Sequence, residues 1–180
     1  MTWWRKSLYD TCSLITVDKL LLDRAAMSRH FPRGILAVEK SFSSDQMRDE
    51  TAKRVRRRVT LQDLPPPANL ASIFSTASLS PGLAEVDKLV FATAVHSQLS
   101  VVTGDRRLGR AVRDANLQVI DVASILRELV RTKKLSPKTC EQLLQNLAKR
   151  NDLLLGKPSP TWADLQAHSF PDRPPTQRKK

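Results

Sequence analysis

The stretch Glu85-Val86-Asp87-Lys88-Leu89-Val90-Phe91-Ala92-Thr93-Ala94, followed after a polar break by Val101-Val102-Thr103-Gly104-Asp105, decides the fold. It reads as an apolar helix that opens on acids and then a short buried strand that ends on one. In open α/β sheets the crevice for ligands lies beyond the carboxyl ends of the strands, where the next helices begin. A carboxylate ending a strand and another in the first turn of a helix are both delivered there, so Asp87 and Asp105 are expected to meet. Ser7-Leu8-Tyr9-Asp10 has the same form, a strand ending in an acid, and leads through Thr11-Cys12-Ser13 into an apolar helix. After Gly34, Ile35-Leu36-Ala37-Val38 reads as another buried strand, closed by Glu39. Four acids therefore recur at one topological level.

Working outward, Leu14-Ile15 and Leu20-Leu21-Leu22 mark an amphipathic helix that stops near His30-Phe31-Pro32. A polar helix is expected from about Ser43 to Arg58, capped by Ser43 or Ser44, with Asp45, Asp49 and Glu50 early and Lys53, Arg54, Arg56, Arg57 and Arg58 late. Residues 59–64 read as an edge strand ended by Pro65-Pro66-Pro67. A helix at 68–76, a turn at Ser80-Pro81-Gly82, a basic helix after Asp105, a strand at 117–120 and a helix at 122–131 follow. This alternation predicts an α/β fold, a three-layer α/β/α sandwich with a mostly parallel central sheet. Residues 1–135 form the expected main domain. Residues 136–180 read as a C-terminal helix, started by Ser136-Pro137, and a proline-rich basic tail whose last residues, Gln177-Arg178-Lys179-Lys180, are expected to be disordered, with Trp162 and Leu165 docking the segment on the body.

Composition narrows the class of function. The chain has 180 residues, enough for a sizeable core, and a net charge of +12. Such a balance favours a polyanionic partner, with nucleic acid ahead of an anionic membrane surface. No apolar run approaches the ~20 residues that span a bilayer. Asp18-Lys19 and Asp23-Arg24 interrupt the most apolar N-terminal stretch and spoil a signal-peptide core, so a cytoplasmic protein without membrane association is expected. Cys12 and Cys140 belong to no metal or disulfide spacing and read as reduced thiols, and His30, His96 and His168 are scattered.

Carboxylates gathered at one crevice repel one another, and so they share protons or hold a cation. Mg²⁺ or Mn²⁺ suits oxygen ligands and is commonly held by one or two carboxylates plus water and phosphate oxygens. An acidic centre in a basic protein fits phosphodiester hydrolysis, with Asp10, Glu39, Asp87 and Asp105 as candidate catalytic residues. Each acid also has a plainer reading: Asp10 or Asp105 as a helix cap, Asp87 or Glu85 as a first-turn acid, Glu39 as a solvated side chain. Arg54, Arg56, Arg57, Arg58, Arg106 and Arg107 are candidate phosphate contacts, and a solvated helical face is their ordinary alternative. Glycine-rich phosphate loops and an Asp-x-Asp nucleophile pair are absent, which speaks against dinucleotide binding and phosphatase chemistry.

With these motifs in order, the chain resembles the PIN-domain nucleases. Asp10-Thr11-Cys12-Ser13-Leu14-Ile15 is similar to the family's opening strand and acid, 87–94 to its central helix, and Val102-Thr103-Gly104-Asp105-Arg106-Arg107-Leu108 to its strand with a Thr-x-Asp end. Two positions depart from the pattern: Lys40 follows Glu39 where a second Glu is common, and Cys12 stands where Ser or Asn is common. The resemblance spans about residues 8–130 and implies a metal-dependent endoribonuclease acting on RNA, often single-stranded. Asp10, Asp87 and Asp105 would then be Mg²⁺ or Mn²⁺ ligands or their supports, and Glu39 the second acid. Many stand-alone members are toxin halves of toxin–antitoxin pairs, which implies an antitoxin-like partner, others process or survey RNA, and since many relatives pair with themselves the resemblance also implies a homodimer. A PIN fold that binds RNA or acts as a scaffold without catalysis is the rival expectation.

Overall fold

The computed structural model describes residues 3–23, 27, 30, 34–43, 45 and 47–170. Five strands, β1 (Leu8–Tyr9), β2 (Ile35–Val38), β3 (Val59–Gln62), β4 (Val101–Val102) and β5 (Val119–Ile120), form one sheet in the order β3-β2-β1-β4-β5. Every pairing is parallel, with Leu8 opposite both Leu36 and Val101. Parallel strands must be joined by crossovers, and helices supply them. The crossovers hold α1 (Thr11–Leu21), α2 (Asp49–Arg56), α3 (Pro67–Thr76), α4 (Glu85–Ser97) and α5 (Arg106–Asp114), and α6 (Val122–Arg131), α7 (Pro137–Lys149) and α8 (Trp162–Ala167) follow the last strand.

Side chains alternate across each strand, and this divides the core into two clusters. Tyr9, Ala37 and Val102 face one layer, where they join Leu14 and Val17 of α1 and the apolar rows of α6 and α7. Leu8, Val38 and Val101 face the other, against Val90 and Phe91 of α4 and Leu108 and Val112 of α5. The result is a three-layer α/β/α sandwich. In α6 the buried Val122, Ile125, Leu126 and Leu129 follow the i, i+3, i+4, i+7 spacing of a helix face, and Cys140, Leu143, Leu144 and Leu147 repeat it in α7. Truncating such a residue, Leu126 or Leu144 for example, costs about 2–5 kcal/mol.

The segment after Ser136 is built on the same core. Ser136 caps α7 by accepting from Thr139 N at 3.0 Å, Pro137 occupies the first turn, and the apolar face of α7 enters the cluster that holds α1 and α6. Beyond it, Thr161 and Asp164 form a capping box for α8, whose Leu165 is fully buried. Arg150 pairs with Asp23 at 2.7 Å and ties the end of α7 to the end of α1.

Three expectations change. The polar helix starts at Asp49 rather than Ser43, because Glu39–Phe42 forms a 3-10 turn that buries Ser41 and Phe42, and Ser43 ends that turn with its N–H and hydroxyl both donating to Lys40 O. Asp45 therefore precedes the helix, and Ser44 lies outside the described residues. α1 ends at Leu21, held by backbone bonds from Leu22 and Asp23, while Phe31 and Pro32 lie outside the described residues. The sheet is entirely parallel, with β3 at its edge as expected but ending at Gln62. The tail 171–180 also lies outside the described residues.

Candidate active site

All five strands point the same way, so their carboxyl ends share one edge of the sheet. The chain lays β2 and β3 on one side of β1 and β4 and β5 on the other, which opens the switch-point crevice between β1 and β4. Asp10 ends β1 and Thr103-Gly104-Asp105 follows β4. Asp10 is 1 % exposed, and its Oδ1 accepts from Ser13 N at 2.7 Å, capping α1. Its Oδ2 accepts a short hydrogen bond from the Thr103 hydroxyl, and Thr103 Oγ1 in turn accepts from Asp105 N at 3.0 Å. Thr103 thus couples the two acids across the crevice. Asp105 caps α5, its Oδ1 accepting from Arg107 N at 2.6 Å and Leu108 N at 2.9 Å.

Both capping roles anticipated as the plain alternatives are therefore real, and they coexist with a charge cluster. Burial raises the Asp10 carboxyl, hydrogen bonds from Thr103 and Ser13 oppose this, and the Asp105 charge raises it further. Asp87, half-buried in the first turn of α4, is pushed up from 3.8 to about 7, by desolvation first and then by the charges of Asp10 and Asp105. Among the described residues no hydrogen bond or cation is among the causes that set it. The neighbouring Lys88 pairs instead with Glu85, at 3.1 Å, on the exposed side of the helix. The charges of Asp10 and Asp105 thus reach Asp87, and that of Asp105 reaches Asp10.

Cys12, one residue into α1 and open to solvent, lies within reach of these charges. Its thiol is pushed up to about 12 by desolvation and then by Asp10, Asp87, Asp105 and Asp152. Such a thiol stays protonated and is a poor nucleophile at neutral pH. Asp152 is the acid that sequence reading missed. It follows α7, lines a cleft of about 310 Å³ with Cys12, Thr16 and Asp105, and is held by the Thr16 hydroxyl at 2.8 Å and by Lys19 at 3.3 Å. Nothing local in Arg150-Asn151-Asp152 signals this, since its partners lie more than a hundred residues earlier in the chain.

Glu39 and the early arginines fall elsewhere. Glu39 opens the 3-10 turn after β2, is exposed, and forms an ion pair with Arg56, whose guanidinium lies 5.6 Å from the Phe42 ring centroid. It is not among the charges acting on Asp10, Asp87 or Cys12. Arg54 grips the buried Asp18 through Nε at 3.0 Å and Nη2 at 2.6 Å. Arg57 and Arg58 lie beside Ile35, the first residue of β2, at the opposite edge of the sheet. Arg107 reaches back to Gly82 O at 2.9 Å, while Arg106 is exposed next to Asp105.

The donors at the crevice are carboxylate and hydroxyl oxygens, the chemistry that hard divalent cations prefer. Among the described residues no three His, Cys, Asp or Glu side chains are grouped so as to hold an ion by themselves. That spacing does not suit an all-protein cage, but it fits an ion held by one or two carboxylates with water and phosphate completing the shell. Asp87, short of positive charge, and the second oxygen of Asp105 suit that role. No described helix is long and apolar enough to cross a membrane. No family model, curated protein or solved structure matches the chain.

Proposed function

We propose that the protein is a metal-dependent endoribonuclease of the PIN type that cleaves single-stranded RNA at the crevice between β1 and β4. The observation that carries this reading is the Asp87 carboxyl, raised to about 7 by burial first and then by the charges of Asp10 and Asp105, within a chain of net charge +12. Acids gathered at a sheet's switch point favour a divalent ion and a polyanionic substrate.

Asp87 and Asp105 would hold Mg²⁺ or Mn²⁺, with Asp10 behind them. Bound there, the ion supplies Lewis acidity toward a phosphoryl oxygen and activation of water near neutral pH. Asp10, locked by Ser13 N–H and the Thr103 hydroxyl, orients Asp105 through Thr103 and deepens the negative field. Asp87 carries a proton near neutrality in the absence of a cation and releases it when one binds. The Cys12 thiol, held neutral, adds no charge and no competing nucleophile. Cleavage of a mixed-sequence RNA by wild type and by Asp87→Asn tests the reading, with activity in Mn²⁺, none in EDTA and none in the variant as the expected outcome.

A catalytically silent RNA-binding scaffold is the second reading. It is favoured by the engagement of both Asp10 oxygens inside the protein and by the spacing of the acids. It requires RNA binding equal in EDTA and Mn²⁺, with cutting in neither.

A further inference from the structure

Asp152 lies outside residues 8–130, on which the nuclease resemblance rests, yet the end of α7 delivers it to the same edge of the molecule. The helix closes in a two-bond turn: Asn151 takes the left-handed conformation, with φ of 56°, its N–H donates to Ala148 O at 3.0 Å, and Asp152 N–H donates to Leu147 O at 3.0 Å. Asparagine and glycine favour that conformation after a helix. The turn brings the Asp152 carboxylate onto α1, where Oδ2 accepts from the Thr16 hydroxyl at 2.8 Å and from Lys19 Nζ at 3.3 Å. Oδ1 accepts no hydrogen bond among the described residues, and the side chain is only 14 % exposed. An acceptor so nearly buried calls for a donor.

The cleft of about 310 Å³ that Asp152 lines is shared with Gly104 and Asp105, so it opens on the crevice where the scissile phosphate would lie. A Cβ at Gly104 would meet nothing within 4 Å, which leaves that side of the cleft unobstructed. Val122, Leu153 and Leu154 supply its apolar lining, and Leu153 is 52 % exposed. Two carboxylates in the lining disfavour a phosphate inside the cleft itself. An apolar wall beside one buried acceptor suits a neutral group that has a hydroxyl to donate and a flat apolar face. A ribonucleoside, carried in by the phosphate attached to it, is such a group.

We infer that this cleft is the subsite for the nucleoside next to the scissile phosphate, where Asp152 accepts from the ribose 2′-hydroxyl and Leu153 lies against the base. The inference deepens the nuclease reading and rests on it for the place of the phosphate. A carboxylate that reads a base edge such as guanine's uses two parallel acceptors. Asp152 has Oδ2 committed to Thr16 and Lys19, and the one remaining oxygen fits a single hydroxyl. The 2′-hydroxyl is what lets a protein tell RNA from DNA at a given site. Asp152 is therefore a specificity-determining residue.

The test compares the binding of a fluorescently labelled oligouridylate with that of its 2′-deoxy and 2′-fluoro counterparts, followed by anisotropy in EDTA at one salt concentration, for the full chain. The 2′-fluoro strand keeps the sugar shape of RNA and lacks the donor. Wild type should bind the ribose strand roughly tenfold more tightly than either counterpart, the size of one hydrogen bond to a charged acceptor. Asp152→Ala should bring the three affinities together. Asp152→Asn, which still accepts from Thr16, serves where alanine disturbs the fold and should lower the preference to about threefold, since a neutral partner gives about half the strength. Lys19→Met removes part of the clip and leaves the carboxylate, so it should lower Tm and retain the preference, while Leu153→Ala should weaken all three strands alike. A preference that survives both Asp152 variants, equal binding of the ribose and 2′-fluoro strands by wild type, or binding of no strand would overturn the subsite. So would a preference lost equally in Lys19→Met, which would make Asp152 a clip between α7 and α1 and nothing more. Because binding is read in EDTA, a ribose preference set by Asp152 in a protein that never cuts RNA would contradict the nuclease reading and leave the subsite standing. Metal-dependent cutting of RNA and DNA alike, unchanged in Asp152→Ala, would do the reverse.

Discussion

Replacing Asp87 by Asn should make the folded protein more stable while removing its activity. A carboxyl raised from 3.8 to about 7 corresponds, at ~1.4 kcal/mol per pH unit, to an upper bound of roughly 4 kcal/mol of strain in the ionised fold. Asp87 is only half-buried, so solvent screening lowers this to roughly 1–2 kcal/mol. Asn also gives up the interaction of a first-turn acid with the helix dipole, about 0.3–1 kcal/mol. Relief of repulsion therefore wins by roughly 1 kcal/mol, or about 2–4 °C in Tm for a chain of this size. The sign with pH is fixed by linkage. Where the folded carboxyl binds its proton more tightly than the unfolded one, stability is present below the ordinary value of 3.8 and is lost as pH rises through about 7. The gain in the variant should thus be absent in acid, grow between those two limits, and then level off. Thermal unfolding in EDTA across that range measures it. A variant that is less stable than wild type at alkaline pH, or whose difference does not vary with pH, would show that Asp87 is an ordinary first-turn acid.

Further outcomes follow from the same contacts. Thr103→Val should cost about 1–3 kcal/mol in urea unfolding, because it leaves Oδ2 of the buried Asp10 without its donor, whereas Thr103→Ser should lose far less; equal losses would deny the bridge. Cys12 should react slowly with maleimide at neutral pH, and faster in Asp87→Asn or with added Mn²⁺, since each removes negative charge from around a thiol pushed up to about 12; a rate indifferent to both would place Cys12 outside the acid field. Arg54→Ala should lower stability by roughly 1–3 kcal/mol by leaving buried Asp18 unpaired, with RNA affinity retained; a loss of affinity at constant stability would return α2 to the binding surface.

Much of this molecule is written locally. Val122, Ile125, Leu126 and Leu129 announce their helix by spacing, Ser136-Pro137 announces the start of α7, and the short apolar runs ending in Asp10 and Asp105 announce strands of a parallel sheet with acids at its carboxyl edge. Three acids converge because topology alone delivers them. What stayed hidden depends on distant partners or on side-chain direction. Glu39 occupies the expected level of the sheet, but the 3-10 turn that follows β2 carries its carboxylate to Arg56. The run 53–58 looks like a phosphate-binding face until Asp18, from another helix, takes up Arg54. Asp152 reaches the cleft only because α7 packs against α1 and brings it to Thr16 and Lys19, a contact no window of sequence contains.

The measurement that bears most directly on the account is cleavage of a mixed-sequence single-stranded RNA by the purified protein in Mn²⁺, in Mg²⁺ and in EDTA, with Asp10→Asn and Asp87→Asn alongside. Asn preserves the cap on α1, so both variants should fold. Metal-dependent cutting that both substitutions abolish, and that rises with pH through about 7 as Asp87 gives up its proton, is the predicted result. Cutting that persists in EDTA or in either variant, or binding without cutting under every condition, would contradict it.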